Sequence, residues 1–110
     1  MAKWRSRQQK LNKIYREMAI EREQCCSGCG RYDVHLSHSH IVPRSHNTSL
    51  ITDPNNITYH CLSIGEHTGC HDIWEHGELR DKKHLLDFEN NMKYIRDNDI
   101  LYYNKLIYKN

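Results

Sequence analysis

The sequence predicts a small α+β domain, with helices at both ends and a short strand-forming segment between them. Three observations support this prediction. Apolar residues recur at helical spacing in the first and last parts of the chain. Apolar and polar residues alternate in the middle part, residues 25–77, which also holds all five cysteines and all five glycines. A length of 110 residues fits a single domain over 1–110.

Residues 1–24 predict a basic N-terminal helix, because Gly and Pro are absent and the apolar residues recur at helical spacing. Residues 1–22 carry seven Lys or Arg against two Glu, a net charge of +5. Such a basic arm indicates contact with phosphates, although a solvated helix face explains the charge equally well. The apolar face comprises Leu11, Ile14, Tyr15 and Met18, and the candidate DNA-binding side chains here are Lys3, Arg5, Arg7 and Lys10.

Residues 25–77 predict two strands and a short helix. The run VHLSHSHIV alternates and stops at Pro43, which is typical of a strand end. A turn-rich loop, RSHNTSLITDPNN, leads to ITYHCL, whose β-branched and aromatic residues predict the second strand. The run CHDIWEH, directly after Gly69, predicts the start of a helix.

Residues 78–110 predict a helical C-terminal segment. A helix from about Arg80 carries one apolar stripe, a break near Asp97 follows, and a second short helix covers ILYYNKLIY. We interpret the stripe as a core or partner-facing surface. It comprises Leu85, Phe88, Met92 and Ile95.

Two cysteine pairs predict a structural zinc site. Only 37% of the residues are apolar, and a domain with so thin a core usually depends on a metal, a disulfide or a partner. The N-terminal residues lack a secretory apolar segment, so we expect an intracellular, cytoplasmic protein without membrane contact, in which paired cysteines bind metal. The predicted zinc ligands are Cys26, Cys29, Cys61 and Cys70.

Two alternative ligand sets stay open at this point. Cys25 could replace Cys26, since the two are adjacent. A histidine, either His60 or His67, could also replace one of the thiolates. In each set four ligands leave no open position, so this zinc is structural.

Three motifs of the middle segment together resemble the HNH (His-Me finger, ββα-metal) endonuclease family, in its phage-type form with a four-cysteine zinc site. They are SHIVPRS from Ser39, NITYHC from Asn56, and the pair Cys70-His71 at the start of the predicted helix. The resemblance covers about half of the chain, from Cys26 to Gly77. It implies a ββα-metal fold flanked by N- and C-terminal helices.

The resemblance also implies roles for individual residues. His40 would be the general base, Asn56 would pin the loop that orients it, and His71 would bind a catalytic Mg²⁺ or Mn²⁺. Glu75 lies at i+4 from His71 and is a candidate second ligand. Arg44 could reach a phosphate of the DNA.

One position departs from the family pattern. Ser39 stands where the family often has a metal-ligating Asp or His. Either the ion is held more loosely at Ser39, partly through water, or His38 takes over. On a regular strand His38 and His40 share a face, so both could reach one site.

The resemblance implies a metal-dependent DNA endonuclease or nickase. The alternative, which the serine favours, is a non-catalytic zinc module that binds nucleic acid or a protein. A third interpretation is an accessory part of a phage packaging or recombination complex, since the composition is typical of a phage-encoded protein in a bacterial host.

Overall fold

A computed structural model describes residues 2–22 and 24–109 of the chain, with side chains over 6–22 and 24–108. Within these residues the fold is α+β, as predicted, with five α-helices around one two-stranded antiparallel sheet. The helices are α1 (Ala2–Glu21), α2 (Cys70–His76), α3 (Leu79–Lys82), α4 (Phe88–Asn98) and α5 (Ile100–Lys109); the strands are β1 (Leu36–His40) and β2 (Ile57–Cys61).

The sheet register sets which side chains face which helix. Leu36 pairs with Cys61 and His40 with Ile57, so β1 ends where β2 begins. Since neighbouring residues of a strand point to opposite faces, Ser39 faces away from His38 and His40. The end of β1 therefore presents polar side chains to both sides of the sheet.

Helix α1 covers one face of the sheet. Its buried residues Leu11, Ile14 and Met18 pack in one cluster with Ile57 and Tyr59 of β2. Burial of this apolar stripe is what the helical spacing predicts.

Arg22, the residue directly after α1, links the end of this helix to the start of β2. Its guanidinium donates to Ile57 O at 2.7 Å and to Pro54 O at 3.0 Å. The basic segment is thus held against the sheet beside the predicted site.

A second cluster lies between the sheet and the C-terminal helices. Trp74 of α2 and Met92 and Ile95 of α4 are buried there, together with Cys61 and Cys70. Because cysteines make up part of this core, their arrangement and the packing of the helices depend on each other.

The helix boundaries differ from the prediction at two places. Helix α1 ends at Glu21 rather than at residue 24. The C-terminal helix is interrupted, because Leu86 N donates to Gly28 O at 2.8 Å and so draws residues 83–87 away from helical geometry. Leu85 therefore lies in a turn, although it is buried as predicted.

The predicted break between the last two helices lies at Asp99, close to the expected position. Its carboxylate accepts from Tyr102 N at 3.0 Å, which satisfies a free backbone donor in the first turn of α5. None of the described helices combines the length and apolar character needed to cross a bilayer.

Candidate metal centre and active site

The four predicted zinc ligands lie together in the structure. Their sulfur atoms all lie within 4.8 Å of one another, and no other group of three or more His, Cys, Asp or Glu side chains within residues 2–22 and 24–109 is close enough to bind one ion. Cys26, Cys61 and Cys70 are buried, whereas Cys29 is exposed. These four cysteines could therefore hold a metal such as zinc.

Two glycines allow the cysteine-bearing segments to approach. A Cβ on Gly28 would lie 2.8 Å from Cys70 Sγ, and a Cβ on Gly69 would lie 2.3 Å from Cys61 O. Both distances are shorter than non-bonded atoms tolerate, so a side chain at either position would push the cysteines apart. Glycine is required at both positions because the cysteine-bearing segments approach each other closely there.

The cysteine sulfurs receive backbone hydrogen bonds that suit thiolates. Cys61 N donates to Cys26 Sγ at 3.3 Å, and Cys70 N donates to Cys61 Sγ at 3.2 Å. Burial raises the pKa of the Cys26 thiol, but hydrogen bonds from the backbone of Cys29, Cys61 and Gly28, together with the Cys29 side chain, outweigh burial and lower that pKa to about 7. Burial raises the pKa of the Cys70 thiol, and the neighbouring sulfurs of Cys26 and Cys61 raise it further, because negative charges on adjacent thiolates repel one another.

The spacing of the sulfurs also suits zinc. Zn–S bonds of about 2.3 Å in a tetrahedron place sulfurs about 3.8 Å apart. The Sγ atoms of Cys29 and Cys61 lie 3.9 Å apart. The donor set, the burial of three of its four members and the sulfur spacing therefore fit a structural zinc ion.

The structure shows neither of the two alternative ligand sets. Cys25 is outside the sulfur cluster. His67 Nε2 lies 3.4 Å from Cys61 Sγ, as a hydrogen-bond partner of that sulfur. His60 is fully buried, and its Nε2 donates to the Asp87 carboxylate at 2.8 Å, because a carboxylate can only accept.

His40 lies at the end of β1 with a defined ring orientation. Its Nε2 is 2.9 Å from Ile51 O. A carbonyl only accepts, so Nε2 carries the proton and Nδ1 has the free lone pair. No described residue hydrogen-bonds to Nδ1, so this nitrogen can accept a proton.

The charge state of His40 suits a base. Burial lowers the pKa of His40 and is the largest effect; the hydrogen bond to Ile51 O and the charge of Glu75 raise this pKa, the guanidinium of Arg44 lowers it, and the net shift is downward. The neutral ring is therefore favoured at neutral pH.

Ser39 and His71 meet on the opposite side of the strand end. Ser39 Oγ lies 2.7 Å from His71 Nδ1, which joins β1 to the first turn of α2. No described residue hydrogen-bonds to His71 Nε2. The serine therefore holds the imidazole in place and leaves one ring nitrogen available to a ligand.

His38 takes part in a different contact. Its ring stacks on Tyr15 of α1, with the centroids 3.8 Å apart and the planes 15° from parallel, and Tyr59 lies on the β2 side at 5.2 Å. The structure therefore brings His38 to α1 and not to His71. Its place on the same strand face as His40 does not lead to a shared ligand position.

The Asn56 side chain hydrogen-bonds to three backbone groups of the loop that follows β1. Its Oδ1 accepts from Val42 N at 2.7 Å, while its Nδ2 donates to Val42 O at 3.2 Å and to Leu50 O at 3.0 Å. Leu50 directly precedes Ile51, whose carbonyl oxygen orients the His40 ring. The fully buried Asn56 thus fixes the backbone that holds the ring.

The predicted DNA-binding residues are only partly described. Arg7 and Lys10 are exposed on α1, and Arg44 is exposed in the loop after β1. The side chains of Lys3 and Arg5 lie outside the described residues.

Two residues near His40 were not predicted from the sequence. Trp74 is buried, and its Nε1 donates to the carbonyls of His40 and Ile41. Lys82 is buried with its Nζ 5.1 Å from the centre of the Trp74 ring. The position of Trp74 at i+3 from His71 was visible in the sequence, but nothing there indicated which groups its N–H would reach.

Comparisons of the chain with models of protein families, with curated proteins and with solved structures found no match.

Proposed function

We propose that this chain is a metal-dependent DNA endonuclease or nickase of the HNH type, with a ββα-metal fold, a structural zinc ion and His40 as the general base. The observation that supports it best is the arrangement at the end of β1. His40 has a free Nδ1 there, and the adjacent Ser39 binds His71 of α2. Residues of β1 and α2 that belong to two of the motifs are thus in contact, one residue away from His40 in the chain.

The divalent ion would be held by His71, with Glu75 as a second candidate ligand one turn along the same helix. An imidazole, a carboxylate and water are donors that Mn²⁺ accepts, and Mg²⁺ takes the oxygen donors. Ser39 holds the His71 ring and so contributes indirectly. When bound, the ion supplies positive charge for the scissile phosphate and the leaving oxygen.

His40 performs the proton transfer in this proposal. A water oxygen forms a bond to phosphorus while its proton moves to His40 Nδ1, and the bond from phosphorus to the leaving deoxyribose oxygen breaks. That oxygen takes up a proton from solvent. Ile51 O and the Asn56 network keep the ring in the orientation that this transfer needs.

Substrate binding would involve α1 and Arg44. Arg7 and Lys10 are exposed on α1, and Arg44 is exposed in the loop that follows His40. Contacts to phosphates position a protein on DNA without reading its sequence. We therefore expect binding that depends strongly on salt.

The double variant Arg7→Gln/Lys10→Gln is expected to weaken this binding. Each lost phosphate contact should reduce the slope of log K against log salt by about 0.9, so by about 1.8 for two. Fluorescence anisotropy of a labelled DNA duplex, without added Mg²⁺ or Mn²⁺, measures the slope. Lys83→Gln/Lys105→Gln removes the same charge elsewhere and is the matched control; equal slopes for both doubles would contradict an interface on α1.

Plasmid cleavage tests the proposal as a whole. The purified zinc-loaded chain should convert supercoiled plasmid to nicked or linear DNA with Mg²⁺ or Mn²⁺, and not when the ion is omitted. Intact plasmid under all these conditions, with a chain that binds DNA and holds zinc, would overturn the nuclease proposal.

A second candidate function is a non-catalytic zinc module, or an accessory part of a phage packaging or recombination complex. One observation favours it: among the described residues, His71 and Glu75 do not form a three-ligand group with any third His, Cys, Asp or Glu. This candidate predicts binding of DNA or a protein without cleavage, so the plasmid assay separates the two. A cytoplasmic, phage-encoded origin is compatible with both.

A further inference from the structure

The indole of Trp74 joins the helix that carries His71 to the strand end that carries His40. Trp74 is 4% exposed, and its Nε1 lies 3.3 Å from His40 O and 3.2 Å from Ile41 O. One N–H therefore serves two consecutive carbonyls. It is a direct side-chain contact between α2 and the backbone of the proposed base.

The strand register explains why the His40 carbonyl is available. Leu62 N donates to His35 O at 2.8 Å, and Ile41 N donates to Asn56 O at 2.8 Å. Hydrogen-bonded pairs alternate along an antiparallel ladder, so His40 belongs to a pair that exchanges no backbone hydrogen bonds. Its carbonyl points away from β2, and Trp74 supplies the donor.

The indole itself is held on more than one side. The ammonium of Lys82, itself only 7% exposed, lies 5.1 Å above the ring, and the His60 ring is 6.4 Å away. The first residue of α2, Cys70, belongs to the cysteine cluster. Helix α2 is thus fixed at its start by the metal centre and in its middle by Trp74.

We infer that Trp74 is a positioning residue for the proposed reaction. Its N–H sets the separation between His40 on β1 and the side chains of His71 and Glu75 on α2. The two halves of the site lie on different elements, and a small shift between them would misplace the water that His40 activates. The inference rests on the proposed nuclease function.

Trp74→Phe keeps an aromatic ring in the core and removes the N–H. We expect kcat for plasmid cleavage to fall about 10- to 100-fold, because misplacement of reacting groups by about 1 Å has effects of this size. KM should stay unchanged, since Trp74 does not face the DNA-binding side chains in this proposal. A purely structural role would instead lower the folded, zinc-loaded fraction and leave kcat per active molecule unchanged.

Phenylalanine is smaller than tryptophan, so a second variant separates shape from hydrogen bonding. Benzothienylalanine at position 74 keeps the fused ring and replaces the N–H by sulfur. It should show the same fall in kcat at an unchanged zinc content. Wild-type kcat in this variant would overturn the inference, whereas absence of cleavage by the wild type would overturn the proposed function instead.

Hydrogen exchange tests the contact without an activity assay. The chain has two tryptophans, so Trp4→Phe assigns the two indole N–H signals in an NMR spectrum. We expect the Trp74 N–H to exchange much more slowly than a free indole. Exchange at the free rate would overturn the contact on which the inference depends.

Discussion

Removal of metal from the four-cysteine cluster is expected to unfold the chain. Structural zinc contributes about 10–16 kcal/mol of binding free energy in zinc-finger peptides. A small domain has a total free energy of unfolding of about 5–15 kcal/mol. Since Cys26, Cys61 and Cys70 form part of the larger core cluster, the loss cannot stay local.

Cys61→Ser is the variant that tests this expectation most sharply. Cys61 ends β2, and its sulfur also accepts a hydrogen bond from the first residue of α2, so serine removes a ligand and an anchor together. We expect loss of bound zinc and of a cooperative melting transition. Zinc content by a colorimetric chelator assay and circular dichroism during heating measure both.

The chain offers a matched control in Cys25→Ser. Cys25 is a free cysteine next to Cys26 but lies outside the cluster. This variant should bind one zinc per chain and melt like the wild type. If Cys25→Ser loses zinc, or Cys61→Ser keeps it, the ligand set is different from the one described.

The four-cysteine cluster could be predicted from the sequence because the chemistry of zinc binding restricts the choice of residues. Few side chains bind zinc, and a C-x-x-C pair with two later cysteines leaves few combinations. Cys25 and Cys26 could not be separated by spacing alone. The structure distinguishes them because Cys26 Sγ accepts the N–H groups of Cys29 and Cys61, which only a sulfur inside the turn can do.

Features that depend on distant backbone groups could not be predicted. The partner of His40 Nε2 is the carbonyl of Ile51, in a loop without a repeating pattern. The interruption before α4 likewise depends on Gly28 O, far away in sequence. Periodicity identifies which face of an element is apolar, but it does not identify which carbonyl a side chain will meet.

The position of His38 shows a limit of the strand pattern. Alternation places His38 and His40 on one face, which suggested a common site. The structure adds Tyr15, which stacks on His38. A helix packed on the sheet thus gives the two histidines different neighbours.

Replacement of His40 is expected to remove cleavage while DNA binding remains. A positioned general base contributes about 10²- to 10⁴-fold to a rate, so His40→Ala should lower kcat by that factor. The exposed His84 is the matched control, and His84→Ala should cleave like the wild type. Supercoiled plasmid with Mg²⁺ or Mn²⁺ is the substrate for both.

A second variant separates catalysis from folding at this position. His40 is 5% exposed, and alanine leaves Ile51 O without its donor, at a cost of about 1–3 kcal/mol of stability. His40→Gln keeps a side-chain N–H for that carbonyl but has no basic nitrogen. We expect His40→Gln to bind zinc and DNA like the wild type and yet to be as inactive as His40→Ala. Wild-type cleavage by His40→Gln would mean that the ring has a structural role and that another group takes the proton.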